Sequence, residues 1–128
     1  RLYGSYLINH DERQAAIENM VVDSSKKNII AMLALHQSTA ERLDYYEEFY
    51  AELFDITGKP ASIIDLGCGF NPFSFVFMDL DKVKYFASDI SSTDLATIQS
   101  YFDKTKDVDG RTEPINLFDA TAKDIFLC

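Results

Sequence analysis

The stretch that decides the fold is residues 62–72, which read Ser62-Ile63-Ile64-Asp65-Leu66-Gly67-Cys68-Gly69-Phe70-Asn71-Pro72. The β-branched pair Ile63-Ile64 is typical of a buried parallel strand, and the acidic Asp65 stands near the end of that strand. Gly67 and Gly69 allow a turn in which the backbone approaches a ligand without a Cβ in the way. Pro72 is suited to the first position of a helix. The pattern predicts a strand, a glycine turn and a helix, with a ligand at the carboxyl end of the strand.

A second predicted strand, residues 83–90, ends near Asp89, about twenty residues after the glycine turn. In nucleotide-binding folds a carboxylate at this place accepts hydrogen bonds from ribose hydroxyls. A dinucleotide site prefers a third glycine where this chain has Pro72, so the sequence favours a cofactor without a pyrophosphate, of which S-adenosylmethionine is the commonest. The alternatives are a purely structural turn and, for Asp89, an N-cap for the helix that begins near Thr93.

Helical patterns cover residues 11–54, and strands alternate with helices from residue 62 onward. The second part is predicted to contain strands at 62–66, 84–88 and 113–118 and helices at 73–78 and 93–102. Residues 103–110 are predicted to be a polar loop. Right-handed crossovers place the three parallel strands in the order third, second, first. We predict an α/β fold, the first half of a Rossmann-like doubly wound parallel sheet, with a helical region at 1–57 and a partial cofactor-binding domain at 58–128.

Two helices are predicted in more detail before the first strand. The first covers residues 27–35 and follows the capping residues at 23–25. Its apolar face is expected to contain Ile29, Ile30, Met32, Leu33 and Leu35. The run Ser38-Thr39-Ala40-Glu41 has the form of a capping box and predicts the start of the second helix. That helix continues at helical spacing through Leu43, Tyr46, Tyr50 and Leu53 until Gly58-Lys59-Pro60.

The composition bounds the class of protein. The 128 residues are 47% hydrophobic, enough for one core, and carry a formal net charge of −9. A broad nucleic-acid interface usually has a basic patch, whereas the one adjacent basic pair, Lys26-Lys27, is also explained by a solvated helix start. Two cysteines and two histidines predict neither a disulfide framework nor a metal site. No stretch has the roughly 18 apolar residues of a membrane span. We expect a cytoplasmic protein and, since the sheet is incomplete and the chain begins at Arg1, a fragment.

Three further side chains are candidates for the site. Arg42 has no carboxylate three or four residues away, and those positions hold Ser38, Thr39, Tyr45 and Tyr46. Its guanidinium either lies over a tyrosine ring or contacts an anion distant in sequence, such as a ligand carboxylate. Asp119 follows the third predicted strand, where it either accepts from an adenine amino group or forms a turn. His36 is predicted to be a packing residue rather than a catalyst.

With these residues in hand, the chain resembles the class I S-adenosylmethionine-dependent methyltransferases through residues 63–69. More narrowly, it resembles the aminoglycoside-resistance methyltransferases that modify a guanine ring nitrogen in small-subunit ribosomal RNA. Residues 35–42 are similar to that family's Leu-His-x-Ser-Thr-x-Glu-Arg, and residues 67–72 contain its Cys-Gly-x-Asn-Pro. Tyr3-Gly4-Ser5-Tyr6 and Ala87-Ser88-Asp89-Ile90 also look similar.

The resemblance implies S-adenosyl-L-methionine as the cofactor, in a site made of Ser38, Thr39, Arg42, Asp65, Gly67, Cys68, Gly69, Asn71, Asp89 and Asp119. In that site Asp119 would lie at the adenine. Arg42, with Ser38 and Thr39 near it, would bind the methionine carboxylate. The partner it implies is small-subunit ribosomal RNA.

The resemblance also implies that the pocket for the target base lies after Cys128. No general base is expected, because the accepting ring nitrogen of a neutral guanine carries no proton. Two alternatives stay open. The acidic charge favours a methyltransferase that acts on a small molecule, and the incomplete sheet favours a cofactor-binding or structural fragment without activity.

Overall fold

The computed structural model describes residues 10–115 of the protein. The helices are α1 (His10–Val22), α2 (Lys26–Leu33), α3 (Gln37–Ala40), α4 (Tyr46–Thr57) and α5 (Ser92–Lys104). The strands are β1 (Ser62–Leu66), β2 (Val83–Asp89) and β3 (Val108–Pro114), and a short 3-10 helix spans Asn71–Phe77. Helices precede the first strand and alternate with strands after it, as the sequence predicts. None of the helices in this part of the chain is long and apolar enough to cross a membrane.

The three strands form one parallel sheet in the order β1-β2-β3, which confirms the predicted order. Strand β1 has the predicted bounds, and β2 extends the predicted core of its strand by one residue at each end. The register places Asp65 of β1 opposite Ala87 of β2, so the glycine turn and Asp89 lie at the same edge of the sheet. The carboxyl ends of β1 and β2 therefore meet at the predicted ligand position.

The third strand is not where the sequence places it. It was expected at 113–118 after a polar loop, but β3 begins at Val108, opposite Val83, and ends at Pro114. It lacks the apolar pattern of a strand, because Val108 is its one large apolar residue. Backbone pairing with β2 forms it, together with Gln99, whose side chain bonds the backbone of Gly110 and Thr112.

The two faces of the sheet differ. Val83, Tyr85 and Ala87 are buried on the face that α5 covers. Phe102 of α5 packs so closely on β3 that a Cβ at Gly110 would lie 2.3 Å from its ring. On the other face, Ile64 and Leu66 stay exposed. The covered face holds the core that supports the glycine turn.

The helical region packs on the same core. In α2, Ile29, Met32 and Leu33 are buried as predicted, whereas Ile30 is exposed, so its place on the apolar face was wrong. Leu35 is buried but lies beyond the end of α2. One hydrophobic cluster includes residues of both predicted parts, 1–57 and 58–128. The shared core does not separate them, so the division into two domains stays a prediction.

The second predicted helix is interrupted. Only Gln37–Ala40 is helical at its start, residues 41–45 form turns, and α4 begins at Tyr46. The capping box is not formed, since His36 is the N-cap and makes no capping bond through its side chain. Short-range backbone bonds, from Arg42 to Thr39 and from Tyr45 to Arg42, replace helical ones here. Helix α4 ends at Gly58, as predicted.

The helix after the glycine turn also differs from the expectation. It is a 3-10 helix of 7 residues rather than an α-helix, and Pro72 stands at its second position. The Ser74 hydroxyl donates to the Asn71 carbonyl at 2.6 Å, and this hydrogen bond stabilises the first turn of the helix. Because a 3-10 helix of this length lacks the aligned peptide dipoles of a longer α-helix, its amino end does not form an anion site.

Candidate functional site

The glycine turn has the backbone conformation that the sequence predicts. Gly67 and Gly69 have φ values of 66° and 54°, in the left-handed region that favours glycine. Between them, the Cys68 amide donates to the Ser88 carbonyl at 2.9 Å, which ties the turn to the end of β2. Cys68 is buried, and burial raises the pKa of its thiol. The thiol is thus a neutral packing group and not a nucleophile.

Asp89 holds this turn in place. Its Oδ2 accepts the Gly69 amide at 2.7 Å, and its Oδ1 accepts the amides of Ile90 and Ser91 at 2.7 and 3.4 Å. Asp89 is not the N-cap of α5, the alternative role that the sequence allowed. Ser91 is the N-cap, and its side chain accepts the Asp94 amide at 3.2 Å. Sequence reasoning missed this bridge between two loops. A carboxylate has about four acceptor positions, so about one remains for a ligand hydroxyl.

Asp65 lies at the end of β1 within a small polar network. Its Oδ2 accepts from the Tyr85 hydroxyl at 2.7 Å and from the Asn71 amide group at 3.3 Å. Burial raises the pKa of Asp65, and these two hydrogen bonds partly oppose that shift. Tyr85 was not predicted as a site residue, although it pairs with Ile63, two positions from Asp65 on the same face of the sheet. Strand register, not composition, was the signal that could have found it.

The same network joins α4 to the turn. The Tyr46 hydroxyl donates to Asn71 Oδ1 at 3.1 Å, and the Tyr50 hydroxyl shares a hydrogen bond of 2.7 Å with Ser74. Both tyrosines were predicted as spacing residues of a helix, and Tyr46 also as a possible ring partner of Arg42, but neither was predicted to contact Asn71 or Ser74. Their hydroxyls fix the position of Asn71, which in turn contacts Asp65.

Arg42 reaches this network from the turn at 41–45. Its guanidinium lowers the pKa of the Tyr46 hydroxyl, against the larger raising effect of burial, and it also lowers the pKa of Asp65. Within residues 10–115 the guanidinium makes no ion pair and lies over no ring, which does not support the tyrosine-ring alternative. Arg42 and Asn71 line one side of an open cavity of about 500 Å³.

Ser38 and Thr39 are less directly placed. Thr39 is buried, and its hydroxyl lies 2.5 Å from the Leu33 carbonyl and 3.2 Å from the His36 carbonyl, to which it donates. Its proton is therefore used within the helix junction. Ser38 is exposed in α3. Their predicted part in the site stays a prediction, as does that of Asp119, which lies outside the described residues.

His36 packs against the other side of the glycine turn. Its ring stacks on Phe70 with centroids 3.9 Å apart, and its Nδ1 would lie 3.6 Å from a Cβ at Gly69. The Arg13 guanidinium lies over the same phenyl ring and pairs with Asp94 at 2.5 Å. Burial lowers the pKa of His36, while Asp94 opposes that shift. The prediction of a packing histidine agrees with this geometry.

The structure therefore brings together six predicted residues at the carboxyl ends of β1 and β2, and Arg42 from the helical region beside them. These six are Asp65, Gly67, Cys68, Gly69, Asn71 and Asp89. Among the described residues no group of acidic, histidine or cysteine side chains could hold a metal ion. The arrangement offers a backbone turn without Cβ atoms at its two glycines, hydrogen-bond acceptors and one guanidinium, which suit an organic ligand with hydroxyls and a carboxylate.

Comparison with known proteins agrees with this geometry. The family model described as "Ribosomal RNA methyltransferase (FmrO)" matches residues 4–123. A 16S rRNA (guanine(1405)-N(7))-methyltransferase of Frankia casuarinae is 36% identical over 104 residues, which are 80% of this chain and 36% of the relative. The enzyme of the same name from Proteus mirabilis is 50% identical over 52 residues, 41% of this chain and 18% of the relative. The chain thus spans about a third or less of the length of these relatives.

Solved structures show the same fold. The 16S rRNA methylase ArmA aligns with a TM-score of 0.65 at 26% identity, over 88% of this chain and 56% of that one. The 16S rRNA methyltransferase RmtF, solved in complex with S-adenosyl-L-homocysteine, aligns with a TM-score of 0.66 at 22% identity, over 86% of this chain and 42% of that one. Because the family model covers nearly the whole sequence, this chain belongs to the family of FmrO ribosomal RNA methyltransferases.

Proposed function

We propose that this chain supplies the S-adenosylmethionine site of a methyltransferase that modifies a guanine ring nitrogen in small-subunit ribosomal RNA. The relatives that support this proposal are named 16S rRNA guanine-N7 methyltransferases. The observation that carries it is the convergence of Arg42 and Asn71 beside the glycine turn and the two strand-end carboxylates.

The residues present fit this cofactor. Arg42 has no carboxylate partner in the described part of the chain, and a guanidinium binds a carboxylate through two parallel hydrogen bonds. The methionine carboxylate would therefore lie at Arg42, and the backbone of Gly67 and Gly69 would approach the ligand without a Cβ in the way. When bound, S-adenosylmethionine supplies an electrophilic methyl group on a sulfonium.

Asp89 has a more limited part than a free carboxylate would have. Both of its oxygens already accept backbone amides, so it offers about one remaining lone pair to a ribose hydroxyl. We therefore assign it one ribose hydrogen bond in addition to its support of the turn.

The chain's own residues need not move a proton. The relatives are named for N7 of guanine, which, unlike N1, carries no proton in the neutral base, so neither Asp65 nor Asp89 acts as a general base in this proposal. Their work is to hold the turn and the ligand in one orientation, which aligns the reacting atoms.

The charge bears on the form of the substrate. A chain with a net charge of −9 has few groups to neutralise phosphates, so an assembled small ribosomal subunit, recognised in part by shape, is a better substrate than naked RNA. Lys26 is only partly available to a phosphate, because its Nζ lies 3.8 Å from a Glu47 carboxylate oxygen and over the Phe77 ring. This substrate places the protein in the cytoplasm.

Transfer of a tritiated methyl group tests the proposal. The complete gene product that carries this sequence is incubated with intact small subunits, with stripped ribosomal RNA and with a pool of metabolites. We expect label in the subunits, at a ring nitrogen of guanine. Label in small molecules alone would replace this function by a small-molecule methyltransferase. Binding of S-adenosylhomocysteine without any transfer would indicate a cofactor-binding protein.

A further inference from the structure

The cavity beside Arg42 has an unusual lining. It is open, has a volume of about 500 Å³, and is lined by Arg42, Tyr45, Tyr46, Phe49, Tyr50 and Asn71. Four of these six side chains are aromatic. Flat apolar walls with a few polar groups at one end are typical of sites for planar organic ligands.

Two of the four aromatic residues are fixed by the fold. Tyr46 and Tyr50 are buried, stack with centroids 5.8 Å apart, and use their hydroxyls on Asn71 and Ser74. Their hydroxyl bonds connect the lining of the cavity to Asn71 of the glycine turn and to Ser74 of the 3-10 helix.

The other two are not fixed in this way. Tyr45 is 63% exposed and makes no ring contact within residues 10–115. Phe49 is 53% exposed and contacts Tyr50 with its edge, at 5.3 Å between centroids. Both rings leave apolar surface in contact with water. Exposed apolar surface beside a cavity is typical of a ligand site, because a bound ligand would cover it.

We infer that this cavity binds the target guanine base, extruded from the RNA, with Tyr45 and Phe49 as its stacking surfaces. The inference rests on the proposed function. Arg42 lines the cavity and is also the proposed partner of the methionine carboxylate, so a base in the cavity would lie beside the methionine portion of the cofactor. In that portion three carbon atoms separate the carboxylate from the sulfur that carries the methyl group. A base inside a helix cannot be reached, and an extruded base regains stacking on aromatic side chains.

The charge of the cavity agrees with a neutral base rather than with a phosphate. Its one cationic residue is Arg42, which the cofactor carboxylate would neutralise, and the rest of its lining is aromatic or amide. Part of the base site thus lies before Cys128, and not only in the later part of the protein, where the family resemblance places it.

The test compares Tyr45→Leu and Phe49→Leu, which keep apolar bulk but remove the flat ring, with Ile56→Ala as the control. Ile56 is on the same helix as Phe49, is 84% exposed and does not line the cavity. The complete protein is used, with intact small subunits as substrate. We expect kcat/KM for methyl transfer to fall roughly 10- to 100-fold in each leucine variant, the loss of one base-stacking contact. The affinity for S-adenosylhomocysteine, measured by calorimetry, should stay within about twofold of wild type.

A second variant separates stacking from simple packing. Tyr45→Phe keeps the ring. If the ring stacks on the base, the fold-reduction in kcat/KM should be at least about five times smaller for Tyr45→Phe than for Tyr45→Leu. Unchanged transfer in both leucine variants would overturn the base site and leave the proposed function standing. A parallel loss of S-adenosylhomocysteine affinity would assign the cavity to the cofactor. A wild-type protein without transfer to subunits would overturn the proposed function and the base site together.

Discussion

The candidate site is bordered by two turns of opposite character. At the glycine turn, residues 67–71, the amides of Cys68, Gly69 and Asn71 all have internal partners, and Cys68 and Phe70 are buried. At the turn of residues 41–45, Arg42 and Tyr45 are exposed, and neither makes an ion pair or ring contact with the described residues. One border of the site is therefore held by internal contacts, and the other leaves two side chains exposed, where a ligand can reach them.

This difference separates two kinds of contribution. Residues of the glycine turn should affect the free energy of unfolding and, through it, ligand binding. Residues of the other turn should affect ligand binding with little change in stability. Each prediction below tests that separation.

The largest effect is expected for Phe70→Ala. Phe70 is fully buried between His36 and Phe73, so its truncation should lower the free energy of unfolding by about 3–5 kcal/mol. The matched change on the other side, Phe49→Ala, should cost less than about 1 kcal/mol because that ring is half exposed. Urea denaturation followed by tyrosine fluorescence measures both. Equal losses would show that the glycine turn and the other border, formed by residues 41–45 and the start of α4, do not differ in this way.

Asp89→Asn should have the next largest effect. The change removes the charge that accepts three backbone amides and turns one acceptor into a donor facing the Gly69 amide. We expect the free energy of unfolding to fall by about 1.5–3 kcal/mol, and S-adenosylhomocysteine affinity to fall as well. Asp81→Asn, at an exposed carboxylate before β2 and away from the turn amides, provides a control. Full stability with weaker binding would mean that Asp89 serves the ligand alone.

Arg42→Ala should act on binding and not on folding. Loss of an exposed guanidinium that binds a carboxylate should weaken S-adenosylhomocysteine by about 1–2 kcal/mol, roughly 5- to 30-fold in Kd. Adenosine lacks the carboxylate, so its affinity should not change. Calorimetry with the two ligands makes the comparison. A similar loss for adenosine would point to a disturbed helix junction, and Arg42→Lys would then show whether charge alone restores binding.

The smallest effect is a pH dependence at the buried side of the glycine turn. Burial lowers the pKa of His36 from its ordinary value of 6.5, so the folded protein favours the neutral ring. Its contribution to stability is complete above pH 6.5 and is lost as the pH falls below that value, because the unfolded chain binds the proton first.

The variant His36→Phe keeps a ring on Phe70 and cannot titrate in this range. Between about pH 7.5 and about pH 5.5 we expect wild type to lose more stability than this variant. The difference between the two proteins is the informative quantity, since burial raises the pKa of Asp65 and gives its carboxyl the opposite sign. Parallel pH profiles would show that the His36 ring keeps its ordinary pKa in the folded protein.

Much of this fold could be predicted from local sequence. Strand β1, the glycine turn and β2 follow from short-range rules, because β-branched residues favour strands and glycine favours positive φ. The family resemblance could also be found from local sequence, because two short runs, residues 35–42 and 67–72, contain the motifs on which it rests. Helix α4 ended at Gly58 as its sequence indicates.

Other elements could not be predicted in this way. Strand β3 has a polar sequence and exists because β2 offers it backbone partners and Phe102 fits over Gly110. The capping box at 38–41 did not form because the helix begins earlier, with His36 and not Ser38 as its N-cap. The Thr39 hydroxyl donates to the Leu33 and His36 carbonyls instead. At β3, long-range contacts outweighed local propensity.

By itself, the sequence determined which residues can turn, pair or carry charge at the site: two glycines, two strand-end carboxylates and an arginine without a local partner. Tertiary structure alone decided how these groups are used. It joined Asp89 to the Gly69 amide and Tyr85 to Asp65 across 20 residues each. It also left Tyr45 and Phe49 uncovered beside Arg42. The physical reason is that hydrogen-bond partners and burial depend on distances between segments, which a local pattern of residues does not contain.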